Sequence, residues 1–286
     1  MQRVTSYQNS AGNTAEDLAV LRAVQAVLLD MDGVLYVGNR GLPGVQDLLD
    51  YLDATQRRWL CVTNNSSRTS DTFAEKLASM DVKVDPAHIL GSAQATANWL
   101  AQQVPAGTKV LMMGEKSLRD ALASKGFDLI ADPMTAEVVV ASIFFGLNYE
   151  ILTDLTLAIR NGARFIATNP DTSLPTERGQ VPGTGSLVAL LSAASGVTPE
   201  FVGKPYPGMY EQAIARVESD PAHTLMVGDR YETDIVGAVE LGMPTVGVLT
   251  GVSTRAEFES AALPPRYVLA DLPELLELFR QADAQG

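Results

Sequence analysis

Cysteine is nearly absent from this chain of 286 residues: Cys61 stands alone. A disulfide within the chain is therefore excluded, which fits a reducing compartment. Cys61 lies in the apolar run Trp59–Val62, where a lone thiol packs as a small hydrophobe. Histidine is almost as scarce, with only His88 and His223. Neither sits at a metal-ligand spacing, so no zinc site and no serine–histidine hydrolase is in view. No apolar run approaches the roughly 18 residues of a membrane span. The stretch from Met1 to about Glu16 is polar and lacks the apolar segment of a secretory signal. A cytoplasmic protein with a flexible tail over residues 1–18 is the expectation. Positive charge is short as well: 21 basic against 34 acidic residues leave a net charge of −13, with no dense basic block. Such a chain repels nucleic-acid backbones and anionic membranes, and neither is expected as a partner. It also repels phosphorylated small molecules, so a phosphate site here needs a local cation.

What is present is an ordinary globular composition, 46% hydrophobic and 19% charged. Short apolar runs alternate with longer amphipathic stretches. Val24–Leu29, Trp59–Val62, Leu225–Val227, Thr245–Leu249 and Tyr267–Leu269 read as strands. Val45–Asp53, Thr72–Met80, Met209–Val217 and Pro273–Gln281 read as helices between them. The alternation predicts an α/β fold: a doubly wound, mostly parallel, Rossmann-like sheet covered on both faces. The middle of the chain repeats the style by itself, with strands at Val110–Met113, Val138–Val140 and Phe165–Ala167 and helices at Leu118–Lys125 and Tyr149–Asn161. It reads as an α/β domain over 93–199, inserted into a core made of 1–92 and 200–286.

Three strands end on polar residues. The first gives Asp30-Met31-Asp32-Gly33, the second Thr63-Asn64-Asn65, and the third Gly228-Asp229, with Asp234 five residues on. Ligands of open parallel sheets bind at the carboxyl ends of the strands. Carboxylates that converge there repel one another, and a hard divalent cation such as Mg²⁺ relieves that cost. Of two carboxylates one residue apart, one can attack phosphorus while the other handles a proton. Thr63 and the N–H groups after it can donate to phosphoryl oxygens. Lys204, in Gly203-Lys204-Pro205, can supply the missing positive charge.

Each signal alone is weak, but the ordered set is specific. It resembles the four motifs of the haloacid dehalogenase superfamily. More narrowly, it is similar to the NagD-like, p-nitrophenylphosphatase-type branch with an inserted α/β cap. The stretches that carry the resemblance are Asp30–Gly38, Val62–Arg68, Ala167–Asp171, Val181–Leu191, Val202–Tyr210 and Gly228–Ser253. The resemblance implies a Mg²⁺-dependent phosphatase acting on a small-molecule phosphate ester. It implies Asp30 as nucleophile and Asp32 as the acid that protonates the leaving oxygen and then activates water. Thr63, Asn64 and Asn65 are implied to hold the phosphoryl group, and Lys204 to neutralise charge. The implied Mg²⁺ site is Asp30, the Asp32 carbonyl and Asp229, supported by Asp234. Asn169 and Asp171 belong to a cap loop that faces substrate, and the implied protein partner is a second copy bound through the cap. The implied substrates include nucleotides, sugar and glycerol phosphates, phosphoglycolate and pyridoxal phosphate.

The chain departs from the pattern at Ser142–Asn148, which is unusually apolar, and at Ser70, where relatives often begin the helix with Pro. Other readings fail on spacing. An EF-hand loop begun at Asp30 would need Gly at Leu35 and Glu at Gly41. Gly203-Lys204 lacks the P-loop's earlier Gly, and Gly183-Thr184-Gly185 lacks the third Gly of a dinucleotide fingerprint. A binding protein that kept the fold without turnover is disfavoured by the intact Asp30, Asp32, Thr63, Lys204 and Asp229. Phosphoryl transfer to another acceptor stays as the runner-up chemistry.

Overall fold

The computed structural model describes residues 14–176 and 178–285. The chain divides into two compact units. One holds the chain up to Val62, Ala74–Ile89 and everything from Ala213 onward; the other holds Thr63–Phe73 and Leu90–Gln212.

The first unit is built around a six-stranded sheet in the order Tyr267–Leu269, Thr245–Val248, Thr224–Gly228, Ala26–Leu29, Arg58–Thr63, Ile89–Gly91. The strand Ala26–Leu29 is Ala-Val-Leu-Leu and buried at every position. That is the pattern of a strand covered on both faces. It pairs in parallel with Arg58–Thr63 on one side and Thr224–Gly228 on the other, with Leu29 beside both Cys61 and Val227. From this central strand the chain runs first toward one edge, then returns and builds toward the other. The reversal of strand order lies at Ala26–Leu29, the place where such sheets open a crevice for ligands. Asp30 and Asp229 are the first residues after the two neighbouring strands there.

Helices form where the apolar spacing allows one buried stripe. Val45–Ala54 buries Val45, Leu48, Leu49 and Leu52, a 3–4 repeat. Leu272–Ala284 does the same with Leu272, Leu275, Leu276 and Phe279, and Asp271 caps it by accepting from Glu274 N. The expected flexible tail is corrected at its end. Residues 1–13 lie outside the described residues, but Ala15–Ala23 is a helix. Thr14 caps it by accepting from Asp17 N, and Leu18 and Leu21 are buried on it.

The second unit has its own five-stranded sheet, in the order Glu200–Phe201, Arg164–Ala167, Val138–Ala141, Lys109–Met113, Asp128–Leu129. All its pairings are parallel. Leu118 and Leu122 of one helix pack on one side of it with Val110, Val138 and Val140. Leu155 and Ile159 of another pack on the other side with Val139 and Phe165. The mostly parallel α/β fold expected from the sequence is the fold observed. Helices that escaped the pattern include Ser92–Ala101 and Thr184–Ser195 here, and Ala15–Ala23, Val236–Glu240 and Arg255–Ser260 in the first unit.

Candidate active site

Asp30 leaves its strand with its N–H donating to Val227 O at 2.9 Å, so the sheet ladder holds its backbone. Its carboxylate is buried, as are those of Asp229 and Asp234. One oxygen from each of the three lies within 4.8 Å of the others. Three buried like charges at this spacing are costly without a cation.

The surroundings hold the cluster in place. Asp229 Oδ2 accepts from Val252 N at 2.7 Å, and Asp229 O accepts from Ser253 N at 2.9 Å. Asp234 Oδ2 accepts from Arg230 N at 3.1 Å. Glycines let the backbone close around Asp229. A Cβ on Gly33 would stand 2.4 Å from Asp229 Cγ, and one on Gly251 would stand 1.9 Å from Asp229 Oδ2. Gly33 also has φ +85°, a conformation that other residues rarely adopt. An oxygen-only donor set of this charge, gripped by backbone on two sides, fits Mg²⁺. On the adjacent strand, burial, and then the charge of Asp30, push the pKa of the Cys61 thiol far up.

Asp32 is not one of the three clustered carboxylates. Its side chain is exposed, and Oδ2 accepts from Tyr36 Oη at 3.0 Å. The atom of Asp32 expected at the metal is its carbonyl oxygen, which leaves the carboxylate available for proton transfer.

In the second unit, Thr63 Oγ1 accepts from Asn65 N at 3.1 Å, a turn that bends the chain directly after the strand. Asn64 Nδ2 donates to Lys204 O at 2.8 Å, which ties the threonine loop to the lysine turn. Lys204 is 1% exposed. An ammonium so placed is sustained only by partners of opposite charge or strong acceptors.

A family model described as haloacid dehalogenase-like hydrolase matches residues 27–128, and a HAD-hydrolase-like model matches residues 201–275. The chain belongs to the haloacid dehalogenase-like hydrolase family. An acid sugar phosphatase of Staphylococcus aureus (strain USA300) is 38% identical over 256 residues, 90% of this chain and 98% of that relative. The structure of NagD from Escherichia coli K-12 is similar with a TM-score of 0.82 at 31% identity, covering 87% of this chain and 97% of NagD. A glycerol phosphate phosphatase of Mycobacterium tuberculosis, solved with magnesium, gives 0.84 at 34% identity, covering 91% of this chain and 79% of that one. This haloacid dehalogenase-like hydrolase is thus NagD-like and belongs to the phosphatase branch of the family.

The side chains of two expected substrate contacts, Asn169 and Asn65, are engaged within the second unit. Asn169 is 3% exposed. Its Nδ2 donates to Asn64 O at 2.9 Å and to Thr168 Oγ1 and Thr184 Oγ1 at 3.2 Å, and its Oδ1 accepts from Asp171 N. The Asn169 side chain thus braces the loop after Thr63. Asn65 Oδ1 is likewise engaged, by Ser67 N at 3.0 Å and Ser67 Oγ at 2.7 Å. Its side chain shapes the turn, and its backbone N–H is held by Thr63 Oγ1. Asp171 is half-buried, and its carbonyl accepts from Gly185 N at 2.8 Å.

The sequence reading missed a buried chain of hydroxyls behind that loop. Ser142 Oγ donates to Ser66 Oγ at 2.6 Å, Thr168 Oγ1 donates to Ser142 Oγ at 3.1 Å, and Ser117 Oγ donates to Ser66 O. The only sequence signal was polar residues directly after apolar strands, at Ser142 after Ala141 and Thr168 after Ala167. Ser142 opens the stretch that departs from the family pattern, so part of that departure is explained by this buried bond.

Proposed function

We propose that this chain is a Mg²⁺-dependent phosphatase that hydrolyses a small-molecule phosphomonoester through an aspartyl phosphate on Asp30. The observation that carries the reading is the buried triad of Asp30, Asp229 and Asp234, with oxygens within 4.8 Å of one another. Those three carboxylates and the Asp32 carbonyl would hold the Mg²⁺. The ion supplies charge neutralisation for the transferring phosphoryl group.

The chain's own residues do the rest. An oxygen of Asp30 bonds to phosphorus as the ester P–O bond breaks, and Asp32 gives its proton to the departing oxygen. Asp32, now a carboxylate, takes a proton from water, whose oxygen attacks phosphorus. Inorganic phosphate leaves and the Asp30 carboxylate is restored. Thr63, the N–H group of Asn64 and Lys204 are proposed to bind the phosphoryl oxygens, with Asn65 shaping the turn that presents them and charge-assisted bonds as the main stabilising term. The exposed side chain of Asp32 supports its assignment to proton transfer.

The inserted α/β part, 93–199, is proposed as the cap that selects the leaving group, with Asp171 on its substrate-facing loop. The relatives named above point to sugar and glycerol phosphates as the first esters to try. A homodimer through the inserted part is proposed with it. No helix of the described residues is long and apolar enough to cross a membrane. A cytoplasmic site of action agrees with the single buried cysteine.

The test is phosphate release from a panel of sugar, glycerol, nucleoside and aryl phosphates, with Mg²⁺ and with excess EDTA. Turnover is expected with Mg²⁺, abolished by EDTA and restored by added Mg²⁺. Full activity in EDTA would overturn the metal assignment, and silence across the panel would overturn the phosphatase reading.

A further inference from the structure

Tyr36 combines two contacts that the chemistry above does not use. Its side chain is 1% exposed, yet its hydroxyl donates to Asp32 Oδ2 at 3.0 Å. Lys76 Nζ stands 3.5 Å from the centroid of its ring. The backbone fixes this arrangement. Gly33 N donates to Tyr36 O at 2.8 Å, Leu35 N donates to Met31 O at 2.8 Å, and Asp32 and Tyr36 form an isolated bridge. Tyr36–Val37 then pairs with Arg40–Gly41 in a two-stranded hairpin. The tight turn after Asp30 therefore ends on a buried ring whose polar tip meets an exposed carboxylate.

An exposed aspartate samples several rotamers, and each delivers its proton to a different place. A donor locked in the core removes that freedom. It also distinguishes the two oxygens, since Oδ2 accepts from the phenol and Oδ1 is left to carry the transferable proton. An ammonium over the ring face is attracted to its π density and draws on it, which makes the phenol a stronger donor.

We infer that Tyr36 is a positioning residue for Asp32, reinforced by Lys76, and that it sets the rotamer and the oxygen from which the leaving group is protonated. The inference rests on the reading of Asp32 as the general acid. The plainer account is that Tyr36 fills the core and its hydroxyl merely needs a partner. The two accounts differ in leaving-group dependence, because a positioned acid matters most when the departing oxygen is basic.

The experiment measures kcat and KM for Asp32→Asn, Tyr36→Phe and Lys76→Met on the most active alkyl phosphate of the panel and on p-nitrophenyl phosphate, with melting curves. Tyr36→Phe keeps the ring and its packing. It is expected to lower kcat on the alkyl ester roughly tenfold, the scale of one hydrogen bond to a charged group. It should leave nitrophenyl turnover within about twofold and Tm unchanged. Lys76→Met should show the same pattern with a smaller fall. Equal loss on both esters in Tyr36→Phe, or no loss on either, overturns the inference while Asp32→Asn still shows the leaving-group pattern. If Asp32→Asn itself loses both esters equally, the acid role fails and the inference falls with it.

Discussion

Asp30 is 8% exposed and shares its space with two more carboxylates, so its charge is as much a burden to the fold as a tool. Asp30→Asn removes one of three close like charges. It is expected to abolish turnover and, in EDTA, to raise Tm relative to the parent protein, because repulsion is relieved. The rise in Tm that Mg²⁺ gives the parent should shrink or vanish in the variant. A melting series with and without Mg²⁺ checks both, and beryllium fluoride trapping should place its adduct on Asp30 in the parent alone. Gly251 allows a sharper probe. A Cβ there would stand 1.9 Å from Asp229 Oδ2, and Gly251 has no positive φ to confuse the result. Gly251→Ala should therefore displace Asp229 and raise the Mg²⁺ concentration needed for half-maximal activity by about tenfold or more. An unchanged Mg²⁺ dependence would mean that Asp229 is not held where the metal needs it.

Elements were legible where pattern and burial agree. Ala26–Leu29 and Val138–Ala141 are continuous apolar runs, and Val45–Ala54 and Tyr149–Arg160 carry a clear stripe. Thr184–Ser195 was not: Leu187, Val188, Leu190 and Leu191 share one side, but Ala189 and Ala193 on the other blur the contrast between the faces. Ser92–Ala101 hides behind small residues, which bury as Ala93, Ala95 and Ala97 without strong apolar contrast. The site divided the same way. Its carboxylates stand at strand ends and follow from local order, whereas the task of Asn169 depends on Asn64, Thr168 and Thr184 meeting it in the folded chain. Gly183-Thr184-Gly185 shows the physical reason for one such motif. These residues start a helix under the Asn169–Asp171 loop, and a Cβ on Gly185 would stand 2.0 Å from Pro170 O. Gly185→Ala should cost about 1–3 kcal/mol of stability through that clash. It should lower Tm, and alter the preference among leaving groups if Asp171 faces substrate. Unchanged Tm would show that the loop yields freely.

Across the whole molecule, the C-terminal helix is fastened by charge as well as by its apolar stripe. Arg57 donates to both oxygens of Asp283, at 2.8 and 2.6 Å, and Tyr51 donates to the same carboxylate at 2.6 Å. The Arg57 bonds hold the Asp283 pKa below the ordinary carboxylate value. Burial, helped by Asp283, pushes the Tyr51 phenol up to about 12. A pKa lowered on folding contributes stability above the unfolded value and loses it as pH falls through the folded one. Asp283→Asn should thus lower Tm at pH 7 and flatten the fall of Tm with acid below about pH 4, the region where free carboxylates titrate. Parallel acid limbs for the two proteins would contradict the assignment. The hydroxyl chain behind the threonine loop bears on how such enzymes exchange parts. Ser117 and Ser142 donate to Ser66, with Thr168 backing Ser142, and Asn169 donates to Asn64. A chimaera that exchanged 93–199 alone is expected to lose these bonds and to loosen the loop after Thr63. These grips all fall inside one compact unit, 63–73 together with 90–212, so an exchange of that split unit is expected to carry them along and to preserve Tm.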